Sequence, residues 1–306
     1  MQEFILLLLI YFGIYTILAL GLNLIAGYTG LLSLCQAAFF AIGAYTTAII
    51  MAKSPDLYVE AFILSGVIAS LFGILIGLPT LRLKGDYLAI ATLGFGEIVK
   101  NIIVNWDALT RGPFGISGFK GPNLFGFEIT EKISYLIFIW GIAVVSYILL
   151  RRFVSSRFGR ALEAIREDET AASAMGINIV KYKILAFTVG AFFAGIAGSL
   201  WASYNHSVSP NTFDFMLSIM VLCMVVLGGL GNNLGTIMGA AIIVITSELP
   251  RLLGFSNIIP PQFNQIFFGL ILVFMMIYRP QGLLGRSKTG FGRNILRKFF
   301  LRGGSR

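Results

Sequence analysis

The sequence predicts an all-α fold, a polytopic membrane bundle of about nine spanning helices with a helical loop on the cytoplasmic side. Three observations carry this prediction. Hydrophobic residues make up 57% of the 306 residues and charged residues only 12%, which is about half the charged share of a soluble domain. Mean hydropathy is +0.86. Apolar segments long enough to span a bilayer, which takes about 20 residues, recur along the chain.

Six long apolar segments come first, and three shorter segments interrupted by glycine follow. The long candidates are Phe4–Ala26, Leu31–Ala52, Val59–Leu78, Tyr87–Trp106, Ile133–Leu150 and Ile184–Tyr204. The short candidates are Phe215–Leu230, Leu234–Leu249 and Phe263–Tyr278. A segment too short for a straight span predicts a tilted, bent or re-entrant helix. The first candidate has no basic residue before it and is too long for a signal-peptide core, so we expect a retained helix with its amino end outside.

The basic residues predict which loops face the cytoplasm. With the amino end outside, the predicted spans place 17 of the 23 Lys and Arg residues inside. These are Arg82, Lys84, the seven basic residues of Arg151–Lys183 and the eight of Arg279–Arg306. Five fall outside, at Lys53, Arg111, Lys120, Lys132 and Arg251, and Lys100 lies inside a span. This bias satisfies the positive-inside rule, so the net charge of +9 indicates orientation toward an anionic inner leaflet, with no nucleic-acid partner.

The chain is expected to divide into a transmembrane domain, residues 1–285, and a basic cytoplasmic tail, residues 286–306. From Arg279 onward the sequence has eight basic residues and no acidic one. An apolar face is available there from Phe291, Ile295, Phe299 and Phe300, which predicts that the tail lies on the inner leaflet.

The loop after the fifth span concentrates charge. Ser155 or Ser156 can cap a first helix. Its apolar residues recur on one face, at Phe158, Ala161, Leu162 and Ile165. Asp168 or Thr170 can begin a second short helix, and Gly176 can end it in the left-handed conformation. The pattern predicts two cytosolic helices that present Arg and Glu outward, together with a narrow apolar edge.

The second of these helices resembles a known signature. From Thr170 the chain reads TAASAMG, which is similar to the Glu-Ala-Ala-x-x-x-Gly signature on the cytoplasmic loop of ABC importer permeases. That loop docks in a groove of the ATP-binding subunit. Thr170 stands where the signature has glutamate, and Glu169 lies one residue earlier. The alternative is a solvated connector that only keeps the positive side inside.

Five sequence blocks extend the resemblance over nearly the whole chain. They are GYTGLLSLCQAAFFAIGAY (Gly27–Tyr45), RLKGDYLAIATLGFGEIVK (Arg82–Lys100), GRALEAIREDETAASAMGIN (Gly159–Asn178), AFFAGIAGSL (Ala191–Leu200) and VVLGGLGNNLGTIMGA (Val225–Ala240). Together they resemble the branched-chain amino acid permease family of ABC importers. Within it they resemble the member that carries the GDYLAIATLGFGEIV block rather than its sister permease.

The resemblance implies a permease subunit that imports branched-chain or other neutral amino acids by alternating access; related permeases carry urea or short amides. It implies as partners a homologous sister permease, two ATP-binding subunits that use ATP and Mg, and a periplasmic or lipid-anchored binding protein. The residues expected to couple to the ATPase are Arg160, Glu163, Arg166, Glu167, Glu169, Ala171, Ala172 and Gly176. The chain lacks a Gly-x-x-x-x-Gly-Lys-Ser/Thr phosphate loop, so we expect ATP hydrolysis on separate subunits and no cofactor on this chain.

Two glycine-rich stretches are candidates for a substrate path or hinge. The first contains Gly27, Gly30, Ser33, Gln36 and Gly43. Its composition fits either close helix packing or a broken helix that lines a path. The second begins at Gly228 and Gly229 and has five glycines in twelve residues, typical of a re-entrant or hinge segment.

Glu97 and Lys100 lie three residues apart inside a span and therefore share a helix face. A lone charge in hydrocarbon costs at least about 2.5 to 3.5 kcal/mol, so pairing or an aqueous lining is required. A structural pair, a partner on the neighbouring permease, and a role in gating the path all remain open.

Two other function classes fit less well. An ion-coupled secondary transporter would use Glu97 as a proton or sodium site, but the charged helical loop argues against it. A membrane enzyme would need a nucleophile and a base near one membrane face. His206 is a lone histidine in an outside loop, and Cys35 and Cys223 have no second ligand at metal spacing, so we expect no catalytic or metal site.

Overall fold

The computed structural model describes residues 2–54, 56–80, 83, 85–119, 121–124, 127–128, 131–252, 269–270, 273–274 and 282–283. These residues are mostly helical, with four strands of two residues each, which confirms the all-α fold. The basic tail lies outside the described residues, as does the last candidate span, Phe263–Tyr278, apart from residues 269–270 and 273–274.

Eleven α-helices follow one another along the described chain. The first five are α1 (Gln2–Leu22), α2 (Gln36–Lys53), α3 (Tyr58–Thr80), α4 (Asp86–Asn105) and α5 (Asp107–Thr110). The next three are α6 (Lys132–Ser155), α7 (Arg157–Glu167) and α8 (Glu169–Ala174). The last three are α9 (Ile179–Asn205), α10 (Phe215–Gly228) and α11 (Asn233–Leu252). The strands are β1 (Ile116–Ser117), β2 (Asn123–Leu124), β3 (Phe127–Glu128) and β4 (Ser207–Val208), and 3₁₀ turns span Gly112–Phe114 and Pro210–Thr212.

Among the residues that the structure describes, six helical segments are long and apolar enough to cross a membrane. They are Glu3–Tyr28, Tyr58–Leu78, Tyr87–Asn105, Lys132–Ser155, Ile179–Asn205 and Pro210–Gly228. Asn233–Glu248 is apolar but shorter, and α2, with 18 residues, occupies the second candidate span. Helices therefore cover the first eight candidates, and the ninth span stays a prediction.

The connection between α1 and α2 differs from the predicted boundaries. Beyond Leu22, α1 continues as a π-helical turn, Asn23–Tyr28, and residues 30–35 are not helical. Gly30 has a φ of 73°, a left-handed conformation that glycine adopts without a steric penalty. The Thr29 hydroxyl donates to the Ile25 carbonyl and accepts from the Leu31 N–H at 3.3 Å. The helix is thus broken here, and a side chain satisfies part of the backbone that the break leaves unpaired.

Small residues bring α9 close to α2 on one side and α3 on the other. A β-carbon on Gly43 of α2 would overlap the backbone of Gly195 in α9. One on Gly195 would lie 2.5 Å from the carbonyl oxygen of Ser65 in α3. Close approach of this kind needs glycine at the contact, so the packing alternative holds for Gly43.

Contacts sort the loops into two ends of the bundle. At one end Lys132 pairs with Glu3 at 2.7 Å, and β1 pairs antiparallel with β4, with Ile116 opposite Val208. The other end holds α7, α8 and the turn between α10 and α11. This grouping is the one that the predicted threading requires. Which end faces the cytoplasm stays a prediction.

Candidate functional site

The two predicted cytosolic helices are present as α7 and α8, and both begin with a side-chain cap. The Ser156 hydroxyl accepts from the Phe158 N–H at 3.2 Å. One Asp168 oxygen accepts from the N–H groups of Thr170 at 2.8 Å and Ala171 at 3.1 Å. Ser156, rather than Ser155, therefore caps α7, and Asp168, rather than Thr170, caps α8. Gly176 follows α8 with a φ of 81°, as predicted.

The apolar face of α7 packs within the chain and does not form an exposed edge. Leu162 is fully buried, Ile165 is 2% exposed and Ala161 is also buried. The Phe158 ring lies 5.5 Å from the ring of Tyr182 in α9. The expectation of an outward apolar edge on α7 was wrong, because burying these side chains against the bundle removes more apolar surface from water.

Glu169 is fixed inside the chain. Its carboxylate lies 2.6 Å from the ammonium group of Lys183 in α9. The Lys183 side chain is only 4% exposed and that of Glu169 is 29% exposed. The pair holds α8 against α9. Sequence reasoning missed Lys183, because a base fourteen positions away gives no local signal.

The other expected coupling residues differ in exposure. Arg160, Glu167, Ala171 and Gly176 are exposed, Glu163 is half-buried and Ala172 is buried. Met175, which the sequence did not single out, is 83% exposed beside Gly176. The outward surface of the two helices therefore combines charge from α7 with a small apolar tip at the end of α8.

Arg166 is exposed as well, but its guanidinium group also contacts the chain. Its Nη1 donates a hydrogen bond to the carbonyl oxygen of Gly27. A β-carbon on Gly30 would lie 3.0 Å from Arg166 Cγ, and one on Gly231 would lie 3.0 Å from Arg166 Nη1. Asn23, in the same π-helical turn as Gly27, accepts from the Gly231 N–H at 2.9 Å. We call this set, with Asn233, the α7 junction.

The α7 junction joins two groups of residues that the sequence treated separately. Arg166 was expected to couple to the ATPase, and Gly27 and Gly30 were expected in a path or hinge. Asn23 and Asn233, joined by a 2.9 Å hydrogen bond between their side chains, were missed. Their signal was an amide at the end of an apolar segment, where polar side chains commonly bridge helices.

A cleft opens beside the start of α2. Its lining residues are Leu34, Ala37, Ala38, Leu93, Gly96, Glu97, Phe213, Asp214, Phe215 and Ser218. It is a small cleft with an open mouth, and we call it the Glu97 cleft. The Ser218 hydroxyl accepts from the Ala37 N–H at 3.0 Å, and Asp214 caps α10 by accepting from the Leu217 N–H at 3.1 Å. Asp214 and Ser218 were missed by the sequence reasoning.

Glu97 lines this cleft from the middle of α4. Within the described residues no ion pair joins Glu97 to Lys100 or to another base. The predicted local pair is therefore absent from this chain, while a partner on a neighbouring permease and a role in gating stay open.

The remaining path candidates are not among the lining residues of the cleft. Ser33 is buried and contacts the Cys35 sulfur at 3.2 Å. The buried Gln36 donates to the Leu18 carbonyl at 3.1 Å. A β-carbon on Gly228 would overlap the backbone of Gly235, and Gly229 has a φ of 112° at the end of α10. Gly228 therefore packs α10 on α11, and Gly229 allows the turn between them.

The cysteines and the histidine considered for catalysis or metal binding lie where the sequence predicted them, the cysteines in apolar segments and the histidine in a loop. Cys35 and Cys223 are buried, and His206 is exposed, 6.4 Å from the Phe119 ring. Over the described ranges, no three side chains of His, Cys, Asp or Glu are grouped as a metal site would need.

Comparisons with known proteins identify the family. The profile of the family described as the branched-chain amino acid transport system, permease component, matches residues 4–276. The chain is 40% identical to the high-affinity branched-chain amino acid transport system permease protein LivM of Escherichia coli K12 and to that of Salmonella typhimurium LT2, over 90% of this chain and 68% of each relative. It is 28% identical to a probable LivM of Methanocaldococcus jannaschii, over 92% of that relative.

The sister-type permease is more distant. LivH of Escherichia coli K12 is 26% identical over 90% of this chain and 92% of that relative. No solved structure matches the chain. A family profile that covers most of the chain and a relative at 40% identity lead to one conclusion: this multi-pass membrane protein belongs to the branched-chain amino acid permease family of ABC transporters and is LivM-like.

Proposed function

We propose that this chain is one of two homologous permease subunits of an ATP-driven importer for branched-chain amino acids. The observation that carries the proposal is the pair α7 and α8. Both helices are capped, α8 is tied to α9 by Glu169 and Lys183, and the tip around Met175 is exposed. A rigid, exposed tip of this kind suits docking in a groove of another protein, whereas a solvated connector needs no such anchoring.

The partners follow from this role. Two ATP-binding subunits would use ATP and Mg. One of them would dock on α7 and α8, with contacts from Arg160, Glu163, Glu167, Ala171 and Gly176. A LivH-like sister permease would complete the path, since LivH-type proteins are also relatives of this chain. A periplasmic or lipid-anchored protein would deliver the substrate at the opposite end. In this arrangement α7 and α8 face the cytoplasm of an inner membrane, and the amino end faces outside.

The Glu97 cleft is the proposed part of the path in this chain. Leu34, Leu93 and Phe213 provide apolar walls, and Glu97 and Asp214 provide carboxylates. A branched-chain amino acid has an apolar side chain and an ammonium group, which these two kinds of lining suit. Closure of the ATP-binding subunits would shift the permeases between inward-facing and outward-facing states, which needs several kcal/mol of differential binding.

An ion-coupled transporter is the second candidate, and one observation favours it. Glu97 has no ion pair within the described residues, which leaves its carboxylate available to a proton or a sodium ion. On this alternative, substrate movement would follow an ion gradient and α7 and α8 would be a connector.

Transport in proteoliposomes separates the two candidates. The chain would be reconstituted with its copurifying sister permease and ATP-binding subunits, and uptake of labelled leucine measured with the binding protein present. We expect uptake to require ATP and to persist when ionophores collapse proton and sodium gradients. Competition by isoleucine and valine, but not by urea or acetamide, would assign the cargo. Leucine uptake that does not depend on ATP and that stops when ionophores are added would overturn the proposal.

A further inference from the structure

Arg166 is the point at which α7 meets two irregular segments of the membrane bundle. Its guanidinium group donates to the Gly27 carbonyl in the π-helical turn after α1. Its stem runs along Gly30, and its head lies against Gly231 in the turn between α10 and α11. Both glycines have left-handed φ angles, 73° and 82°. The arginine therefore fills a space that two backbone turns leave open.

The contact that Arg166 makes is directional, unlike the apolar contacts of the same helix. Leu162 and Ile165 bury apolar surface, and apolar contacts tolerate sliding because they have no preferred direction. A charge-assisted hydrogen bond to a carbonyl is short and directional. The carbonyl oxygens at the end of a helix also favour a cation.

The segments that Arg166 contacts are themselves joined. Asn23 accepts from the Gly231 N–H, and its amide donates to Asn233 at 2.9 Å. A displacement of Arg166 would therefore move the end of α1 and the α10–α11 turn together, because hydrogen bonds join these two segments.

A short stretch of chain leads from the α7 junction to the Glu97 cleft. Residues 30–35 run from Gly30 to the start of α2, and Leu34 and Ala37 line the cleft. The Leu34 N–H donates to the Thr92 hydroxyl of α4 at 3.0 Å, next to the lining residue Leu93. The connection is covalent from Gly27 to Ala37, so a shift at the junction has a physical route to the cleft.

We propose that Arg166 is a positioning residue that transmits displacement of α7 to the broken segment between α1 and α2, and through it to the Glu97 cleft. It acts inside this chain and does not hold the ATP-binding subunit. The inference rests on the proposed function, because it requires α7 to be displaced by a docked ATPase. Arg166 is itself exposed, but its contact with Gly27 gives it a role different from that of the other exposed residues of the same helix.

The test uses the complete transporter in proteoliposomes and three readouts. These are copurification of the ATP-binding subunits, the rate of ATP hydrolysis, and leucine uptake per ATP hydrolysed. Arg166→Ala should keep the ATPase bound and hydrolysing, while uptake per ATP falls about tenfold, a usual size for coupling between sites. Arg166→Lys should recover much of the loss, because an ammonium group can still donate to the Gly27 carbonyl. Arg157→Ala removes the same charge from an exposed position of α7 and should behave as wild type.

A second variant approaches the contact from the other side. Gly231→Ala keeps the arginine but places a methyl group 3.0 Å from Arg166 Nη1 and 3.1 Å from the Gly27 carbonyl oxygen, and it strains a turn whose φ is 82°. It should also lower uptake per ATP while the ATPase stays bound, and this result remains available if Arg166→Ala does not fold.

The outcomes separate this inference from the proposed function. If wild type shows no ATP-dependent uptake, both fail. If wild type transports and Arg166→Ala loses its ATPase in proportion to uptake, Arg166 is a docking residue and the inference is wrong. Equal uptake per ATP in wild type and Arg166→Ala would also overturn it, as would a lysine variant no better than alanine.

Discussion

Among the described residues, charged side chains are paired at one place in the bundle and unpaired at another. The first is the end of the bundle formed by α7, α8 and the α10–α11 turn, which we call the α7 end, and the second is the Glu97 cleft. At the α7 end, Arg166 donates to Gly27, and Glu169 holds the buried Lys183 at 2.6 Å. In the cleft, Glu97 has no ion pair within the described residues. Both places belong to the same small bundle, joined by residues 30–35, so the difference is local rather than a property of the fold.

The difference indicates what each place is built to do. A charge that is buried and paired costs little while the pair is intact and a great deal when one partner is removed, so it fixes two elements relative to each other. An unpaired carboxylate at membrane depth costs free energy. A cationic substrate group offsets that cost while it is bound. The buried Glu169–Lys183 pair is therefore expected to respond to mutation through stability, and the cleft through transport.

The largest expected effect on stability comes from Glu169→Gln. It leaves the Lys183 ammonium group, 4% exposed, without its counter-charge. We expect the free energy of unfolding of the isolated permease to fall by about 3 kcal/mol, the lower end for a buried pair because Glu169 is partly exposed. Unfolding in mixed detergent micelles measures it.

The matched control is the double variant Glu169→Gln with Lys183→Met. It removes both charges, so it should recover most of the lost stability. A double variant as unstable as Glu169→Gln alone would show that the pair does not hold α8 to α9. The α7 end would then no longer differ from the cleft in having a stabilising charge pair.

A pair of glycine substitutions compares the packing of the two regions. A β-carbon on Gly27 would overlap the Asn23 amide oxygen and the Gly231 nitrogen, whereas one on Gly96 in the cleft has its nearest neighbour 3.9 Å away. Gly27→Ala should therefore cost about 1 to 3 kcal/mol of stability by overpacking. Gly96→Ala should be close to neutral in the same unfolding assay. Equal costs at the two positions would contradict the contrast.

The cap of α8 should give a smaller effect. Asp168→Ala removes the acceptor for the N–H groups of Thr170 and Ala171. Loss of such a cap costs about 1 kcal/mol, and we expect faster hydrogen exchange confined to residues 169–174. Asp168→Asn keeps an acceptor and should retain most of the protection. Unchanged exchange in the alanine variant would show that α9 alone orders α8.

The sequence predicts the helices and the caps because these depend on local patterns. Apolar length locates the spans, and the Ser156 and Asp168 caps and the Gly176 turn depend on neighbours within a few residues. The resemblance added the coupling role of the loop. The break before Gln36 was one of two alternatives, since glycine permits both close packing and a break.

Contacts between distant residues could not be predicted in the same way. Lys183 lies fourteen residues from Glu169, and Gly231 lies far along the chain from Asn23, so no periodicity connects them. The sequence also put Glu97 beside Lys100, because residues three apart share a helix face. Sharing a face does not fix the side-chain directions, and Glu97 lines a cleft formed with α2 and α10 instead.

The smallest effect on stability, and a large one on transport, is expected from Glu97→Gln. The variant keeps the shape of the side chain, removes a charge that has no ion pair within the described residues, and should change the free energy of unfolding by no more than about 0.5 kcal/mol. If the cleft carboxylate receives the ammonium group of the substrate, leucine uptake should fall at least about tenfold, the worth of a hydrogen bond to a charged group.

Lys100→Met distinguishes this role from the local pair that the sequence suggested. Because the two side chains do not pair, the stability changes of Glu97→Gln and Lys100→Met should add in the double variant to within about 0.5 kcal/mol, as for independent sites. A paired arrangement would instead make the double variant less damaging than either single change. That result would show that Glu97 has a structural role. Its charge would then be paired, as the charges at the α7 end are.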